Sequence, residues 1–156
     1  MKRLITFFTV IVFACLFAAT GSAFPYLVVE PDLNTLVNWD LMPSGLLIVG
    51  YDTDHNGKAD FFTLRVVVRA YFSSEIVSEV VDYFPNNLIF VVNYGGGQYF
   101  YYVTSRQPFF YAFDLNEDGV WDLMYKDAFE DGVNGNEKFY ESPSGMFTAN
   151  IQNFGK

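Results

Sequence analysis

The 156-residue chain has very little of three kinds of residue on which protein sites often depend. It contains one cysteine, Cys15, and one histidine, His55. Basic residues are also scarce, because 9 Lys and Arg stand against 18 Asp and Glu, which gives a formal net charge of −9. A lone imidazole and a lone thiol disfavour zinc sites, haem attachment and His-based catalytic triads. The negative charge repels phosphate backbones, so we expect no nucleic-acid partner.

The amino-terminal stretch has the features of an export signal. Lys2 and Arg3 precede an apolar run at residues 4–19, and residues 21–23 are small, as a signal peptidase requires. The run is short and no charged cluster follows it, so we expect residues 1–23 to be a cleaved signal peptide, which leaves no membrane span in the mature chain. Cys15 lies within this segment, in a poor match to a lipoprotein box. We expect the mature protein to be secreted, extracellular or on the cell surface, with the periplasm as the alternative.

The mature chain, residues 24–156, has no cysteine and is strongly acidic. Without Lys2 and Arg3 the basic count falls from 9 to 7 against 18 acids, which makes the net charge −11. No disulfide can form, so packing and any bound metal must stabilise the fold. The length suits one domain with a hydrophobic core. Many of the carboxylates lie in two short loops in which Lys58 is the only basic residue, and such clusters need a cation.

Hydrophobic patterning predicts a mainly β fold, either β-sandwich-like or α+β, built from antiparallel hairpins and one short helix. Three hairpins are expected: residues 45–51 with 61–68, residues 87–93 with 98–104 around a Gly-Gly-Gly turn, and residues 109–113 with 123–125. Residues 73–84 have helical spacing, with Ser73 or Ser74 as the N-cap. We also expect a strand at residues 26–29, a short helix or an ordered arm at residues 33–41, and loops with one or two edge strands after residue 127.

One internal repeat places two acidic loops in the same frame. Residues 51–61 match residues 113–123 at an offset of 62. We number each loop from its first Asp: oxygen-bearing side chains stand at positions 1, 3, 5 and 9, and glycine at position 6. Loop 1 (residues 52–60) offers the side chains Asp52, Asp54, Asn56 and Asp60 and the backbone carbonyl of Lys58 at position 7. Loop 2 (residues 114–122) offers Asp114, Asn116, Asp118 and Asp122 and the carbonyl of Val120.

This spacing predicts two calcium ions as the cofactors. A hard cation binds several oxygens at once, and the alternate side chains of a tightly wound loop converge on one point. Magnesium demands a tighter octahedron, and soft metals prefer His or Cys. Asn56-Gly57 and Asp118-Gly119 are also favoured dipeptides of ordinary hairpin turns. Two copies in one frame, each between β-rich segments, favour calcium over simple turns.

The loops resemble the Asp-x-Asp-x-Asp-Gly-x-x-Asp calcium loops of thrombospondin type 3 repeats, dockerins and integrin-like propeller repeats. The resemblance covers about a dozen residues per copy and implies the ion rather than an activity. An EF-hand or dockerin loop carries an acid at position 12, where Thr63 and Tyr125 stand instead. The missing acid predicts modest affinity, on the order of 0.1–1 mM.

The sequence favours a non-enzymatic role, because nothing selects a carboxylate pair for hydrolysis among the scattered acids. We expect a calcium-binding structural or assembly protein of the cell surface or of an extracellular polymer. Its partners would be a second copy or another surface protein. The alternative is a carbohydrate-binding or adhesion module, because aromatic residues are abundant and residues 99–102 place them on both faces of one strand. Residues 99–102 and 109–111 are the predicted positions of such a surface.

Overall fold

The computed structural model describes residues 28–143. The predicted signal peptide, residues 26–27 of the first predicted strand and residues 144–156 lie outside this range. Within it, no helix is both long enough and apolar enough to cross a membrane.

The described chain is mainly β, as predicted, with eight strands and one short α-helix. The first three strands are β1 (Leu36–Leu41), β2 (Leu46–Tyr51) and β3 (Phe61–Ser73). The helix α1 (Val77–Tyr83) follows, and then β4 (Ile89–Gly95) and β5 (Gln98–Thr104). The last three strands are β6 (Phe110–Phe113), β7 (Leu123–Lys126) and β8 (Lys138–Glu141). Loop 1 connects β2 to β3, and loop 2 connects β6 to β7.

The long strand β3 belongs to two antiparallel sheets. Its first half, from Phe61, pairs with β2 and β6 in a main sheet of order β1-β2-β3-β6-β7-β8. Its second half pairs with β5, which also pairs with β4, and a register shift between Val67 and Arg69 separates the two halves. An irregularity of this kind bends a strand, and the small sheet thereby comes to face the main one. Trp39 of β1 touches Phe90 of β4, with ring centroids 5.2 Å apart.

Alternation along the strands of the main sheet produces two hydrophobic clusters. Leu47, Val49, Tyr51 and Phe61 belong to the first cluster, between the two sheets. On the opposite face lie Ile48, Phe62, Leu64, Phe110, Ala112, Trp121 and Met124, all buried. Because the side chains of a strand point alternately to opposite faces, a one-residue slip in β2 or β3 would exchange these two sets. The two-sided burial therefore determines the register of the strands between which the acidic loops lie.

A polar group lies within the first cluster. Arg65 is 1% exposed, and its guanidinium donates to the backbone carbonyls of Ser105 and Arg106 and pairs with the carboxylate of Glu30. The Tyr51 hydroxyl also donates to Glu30. A buried charge needs such partners. The network joins the segment before β1 to the connection between β5 and β6.

Several predicted elements differ from the structure. No strand forms at residues 28–29, and residues 33–41 form a one-turn 3-10 helix, Leu33–Thr35, followed by β1. The sequence did not predict β1, because it is an edge strand without one fully buried face, so its apolar residues do not alternate regularly. The helix begins at Val77, after the residue Ile76, whose side chain makes no capping bond. Ser73 instead ends β3, where its hydroxyl accepts the Glu75 N–H.

Candidate metal site

The two acidic loops lie side by side at one end of the main sheet. Pairing of β3 with β6 sets Phe61 opposite Phe113, so the end of loop 1 meets the start of loop 2. The Asp114 N–H donates to the Asp60 carbonyl, with 2.9 Å between nitrogen and oxygen. The sequence repeat places the loops 62 residues apart, and only the pairing of β3 with β6 brings them into contact.

Loop 2 is wound around the carboxylate of Asp114. The N–H groups of Asp118 and Gly119 donate to Asp114 Oδ1 and Oδ2, at 3.1 and 2.8 Å. Asn116 Oδ1 accepts from the Asp118 N–H at 3.0 Å, and Asp118 Oδ1 accepts from the Val120 N–H at 2.9 Å. The positive φ angles at Glu117 (55°) and Gly119 (86°) turn the backbone inward. These bonds fix the orientation of the oxygen-bearing side chains at positions 1, 3 and 5 of loop 2.

Loop 1 repeats the same hydrogen bonds position by position. Asp52 Oδ1 and Oδ2 accept from the N–H groups of Asn56 and Gly57 at 3.1 and 2.8 Å. Asn56 Oδ1 accepts from the Lys58 N–H at 2.9 Å. His55 and Gly57 have φ angles of 63° and 95°. The sequence repeat is therefore also a structural repeat.

The position 9 acids close the loops. Asp60 accepts from the Thr53 N–H at 2.9 Å, and Asp122 accepts from the Leu115 N–H at 2.7 Å. Because a carboxylate has about four lone-pair positions, these oxygens retain acceptor capacity beyond the bonds to N–H groups. The residues at position 12 cannot contribute, since Thr63 and Tyr125 are buried within β3 and β7.

Position 8 of each loop is apolar and packs into the second hydrophobic cluster. Trp121 of loop 2 is fully buried there and lies 6.0 Å from Phe62 between ring centroids. Ala59, its counterpart in loop 1, packs against the same cluster. A Cβ on Gly50 would come within 2.9 Å of Ala59 Cβ, so β2 must have glycine beneath loop 1. These anchors were not part of the predicted site, although the apolar residue at position 8 in both copies was the available signal.

The two position 1 carboxylates have opposite electrostatic environments. Asp114 is 3% exposed. The pKa of Asp114 lies above the ordinary value, mainly because the side chain is buried, and the charges of Asp118 and Asp122 raise it further. Hydrogen bonds from the N–H groups of Gly119 and Asp118 lower the pKa but do not outweigh these effects. Desolvation raises the pKa of Asp52, but several hydrogen bonds from backbone N–H groups together outweigh it, so the pKa lies below the ordinary value. Loop 2 thus holds negative charge that its own protein environment does not fully stabilise, and a bound cation would relieve it.

The predicted ligand sets are all oxygen, which suits calcium and not a soft metal. Neither of the ion pairs found within residues 28–143 uses a proposed ligand carboxylate; they join Lys58 to Glu117 and Arg65 to Glu30. Over the same range no group of three or more His, Cys, Asp or Glu side chains is arranged to hold a metal. Each proposed ligand set also includes an Asn oxygen and a main-chain carbonyl. His55, at position 4, is exposed.

A third loop with the same turn follows β7. The Gly132 N–H donates to Asp127 Oδ2 at 2.8 Å, which repeats the bond from position 6 to position 1, and Glu130 and Gly132 have positive φ angles. Phe129 and Gly135 occupy positions 3 and 9, so this loop 3 (residues 127–135) lacks two of the ligand side chains. In the sequence, residues 131–137 look like a partial third acidic loop, but their spacing breaks the pattern and favours a glycine-rich connector; in the structure the loop begins at Asp127. Loop 3 forms at the opposite end of β7 from loop 2 and provides an internal control for ligand substitutions.

The predicted surface aromatics lie elsewhere than expected. Tyr101, Phe110 and Tyr111 are buried. In β5 the Tyr101 hydroxyl donates to the carbonyl of Glu75, which precedes α1, and Tyr102 packs against Trp39 on the opposite face. Phe72 and Tyr94, 55% and 65% exposed, form a pair of exposed rings 5.7 Å apart between centroids beside Phe100. Among the described residues Tyr83, Phe129 and Tyr140 are also exposed.

Comparisons with known proteins supply no relative for this arrangement. Matched against protein-family models, curated proteins and solved structures, the chain resembles none of them. The function must therefore be argued from the loops and surfaces themselves.

Proposed function

We propose that the protein binds two calcium ions, one in loop 1 and one in loop 2, and is an exported structural or assembly protein of the cell surface or of an extracellular polymer. One observation carries the proposal: both loops present the same oxygen ligands in the same hydrogen-bonded turn. Loop 3 keeps the bond from position 6 to position 1 and the positive φ angles at positions 4 and 6, but it lacks oxygen-bearing side chains at positions 3 and 9. This part of the turn therefore does not require oxygens at those positions. Their presence in loops 1 and 2 is what calcium explains.

A calorimetric titration with calcium and with magnesium tests the ion. We expect two calcium ions per chain and weaker binding of magnesium, because magnesium tolerates only a near-ideal octahedron and dehydrates reluctantly. Asp52→Ala and Asp114→Ala should each remove one ion. Asp131→Ala, at position 5 of loop 3, is the matched control and should leave both. Absence of calcium binding at about 10 mM would refute the proposal, since this concentration exceeds the expected dissociation constants at least tenfold.

The assembly part of the proposal is supported by apolar surface on α1. Ile76, Val77, Val81 and Tyr83 are all exposed, while Val80 alone of that helix is buried. Exposed apolar groups on one short element are typical of a surface that meets another protein. Sedimentation with saturating calcium should show association that Val81→Lys weakens and Ser78→Lys, on the same helix, does not. A wild-type chain that remains monomeric at high concentration would refute assembly from a single component.

Carbohydrate binding is the second candidate function, and the pair of Phe72 and Tyr94 favours it. Exposed aromatic rings on the small sheet can stack on the apolar faces of sugars, and Asn93 and Gln98 lie exposed beside them. Binding on a glycan array that Tyr94→Ser removes would support this function. Binding that persists in the variant would rule out this surface.

A further inference from the structure

Loop 2 contributes a side chain to loop 1. Glu117 occupies position 4 of loop 2, which is not a ligand position, and its carboxylate extends across the gap between the loops. It accepts a hydrogen bond from the Asn56 side-chain amide and lies 3.0 Å from the Lys58 ammonium. Asn56 and Lys58 occupy positions 5 and 7 of loop 1, where the side-chain oxygen and the main-chain carbonyl are proposed ligands.

The contact with Asn56 selects the orientation of its amide. A carboxylate only accepts hydrogen bonds, so Glu117 binds the Nδ2 end. That nitrogen also donates to Asp54 Oδ2 at 3.0 Å, and Oδ1 is left facing the Lys58 N–H within the loop. A flipped amide would present nitrogen, which cannot bind a cation, at the ligand position. Glu117 and Asp54 together disfavour that flip.

The contact with Lys58 removes an electrostatic obstacle. The ammonium belongs to the residue whose carbonyl is a proposed ligand, and a cation entering the loop is repelled by it. The Glu117 carboxylate pairs with this ammonium and offsets the repulsion. A charge borne by loop 2 thus makes loop 1 more favourable for a cation.

We propose that Glu117 is a positioning residue for the cation of loop 1 and that it couples the loops, so that filling loop 2 raises the affinity of loop 1. This inference rests on the calcium binding proposed above. Glu117 lies between Asn116 and Asp118, two proposed ligands of loop 2, so an ion there holds the backbone that carries Glu117. The bond from the Asp114 N–H to the Asp60 carbonyl is a second link between the loops.

The amide signals of Gly57 and Gly119 can report each loop separately in a calcium titration followed by two-dimensional NMR, because these N–H groups donate to Asp52 and Asp114. In Glu117→Ala we expect the Gly57 midpoint to move to at least about fivefold higher calcium, the low end of measured couplings between sites. His55→Ala, at position 4 of loop 1, is the matched control and should leave both midpoints unchanged.

Two further variants separate positioning from a general effect on the fold. Adding Lys58→Met to Glu117→Ala should restore part of the affinity of loop 1, because it removes the ammonium that Glu117 offsets; a merely structural loss would not be restored. Asp114→Ala, which disables loop 2, should raise the Gly57 midpoint as well. If Glu117→Ala does not fold, Glu117→Gln takes its place, because a neutral amide does not offset the Lys58 ammonium and, having both a donor and an acceptor, does not select the orientation of the Asn56 amide.

The outcomes distinguish this inference from the function on which it rests. Wild-type shifts of both glycines with an unchanged Gly57 midpoint in Glu117→Ala, or in Glu117→Gln where that variant is used, would overturn the positioning role and leave calcium binding intact. A wild-type chain in which neither glycine responds to calcium would overturn both.

Discussion

Chelation should destabilise this protein by an amount that follows from its two loops. Removing calcium from the folded chain withdraws the binding free energy of every occupied loop, because the unfolded chain has no preformed site. The perturbation is a change from about 10 mM calcium to excess chelator, a range set by the modest affinity expected of extracellular modules.

The magnitude depends on the structure through position 12. Thr63 and Tyr125 are buried in strands and supply no carboxylate to the loops, so the dissociation constants should lie at about 0.1–1 mM. At about 10 mM calcium each loop then contributes roughly 1.4–2.7 kcal/mol. The two loops together contribute about 3–5 kcal/mol, which shifts the Tm of a domain of this size by about 10–20 °C.

Calorimetric melts of variants that disable one loop measure how much of the shift in Tm each loop contributes. Asp52→Ala and Asp114→Ala should each retain somewhat less than half of the calcium-dependent shift in Tm, because each also removes the coupling between the loops. Without calcium, the Tm of Asp114→Ala should be lower than that of Asp52→Ala. The N–H groups that lose their acceptor in Asp114→Ala are less exposed to water, and each buried donor left unpaired costs about 1–3 kcal/mol. Asp127→Ala in loop 3 leaves the partly buried Gly132 N–H without its acceptor, so it should lower the Tm and keep the whole calcium-dependent shift.

Two results would refute this reasoning. If chelator leaves the wild-type Tm unchanged, the loops are ordinary acidic turns. If Asp127→Ala reduces the calcium-dependent shift as much as Asp114→Ala does, the shift reports general destabilisation of the sheet rather than loss of a ligand.

Three further predictions concern pH and the supports of the site. Calcium binding requires ionised carboxylates. Because the pKa of Asp114 is raised and that of Asp52 is lowered, Asp114 takes up its proton first as the pH falls. NMR should therefore show that loop 2 releases calcium at a higher pH than loop 1. Simultaneous release would contradict those shifts. Gly50→Ala should lower the unfolding free energy by about 1–3 kcal/mol in denaturant melts, because its Cβ would overlap the Ala59 methyl group. An unchanged denaturation midpoint would show that loop 1 shifts to accommodate the methyl group without loss of stability. Arg65→Met should lower the unfolding free energy by about 1–3 kcal/mol in the same melts, because it removes the ion pair of the partly buried Glu30 carboxylate and the donor to the carbonyls of Ser105 and Arg106. Adding a neutral substitution of that carboxylate should recover part of the loss.

The candidate ligands and the main hairpins could be predicted because their determinants are local. Oxygen side chains at alternate positions around a glycine specify the turn through bonds within nine residues, as the matched bonds of Asp52 and Asp114 show. The edge strand β1 was missed because its burial depends on β2 and on the small sheet across from it. The helix was predicted to start too early because β3 extends to Ser73, where pairing with β5 competes with helical spacing.

Loop 3 shows how far local pattern extends. The bond from the Gly132 N–H to Asp127 repeats part of the turn, whereas Asp127 Oδ1 accepts from the Phe129 N–H at position 3 instead of from position 5. No oxygen at position 3 or 9 marks Asp127 in the sequence as the start of a loop. A search for Asp and Gly five residues apart would have found all three loops. Only two of them carry the complete set of ligand positions.

The amino-acid sequence alone determined the acidic balance, the β-rich pattern and two oxygen-lined loops in one frame, because each depends on neighbours along the chain. The tertiary structure decided what the loops do to each other. Pairing of β3 with β6 sets the loops side by side, brings Glu117 to Asn56 and Lys58, and buries Asp114 while leaving Asp52 more exposed. Long-range strand pairing creates these contacts, and no spacing within a single loop encodes them.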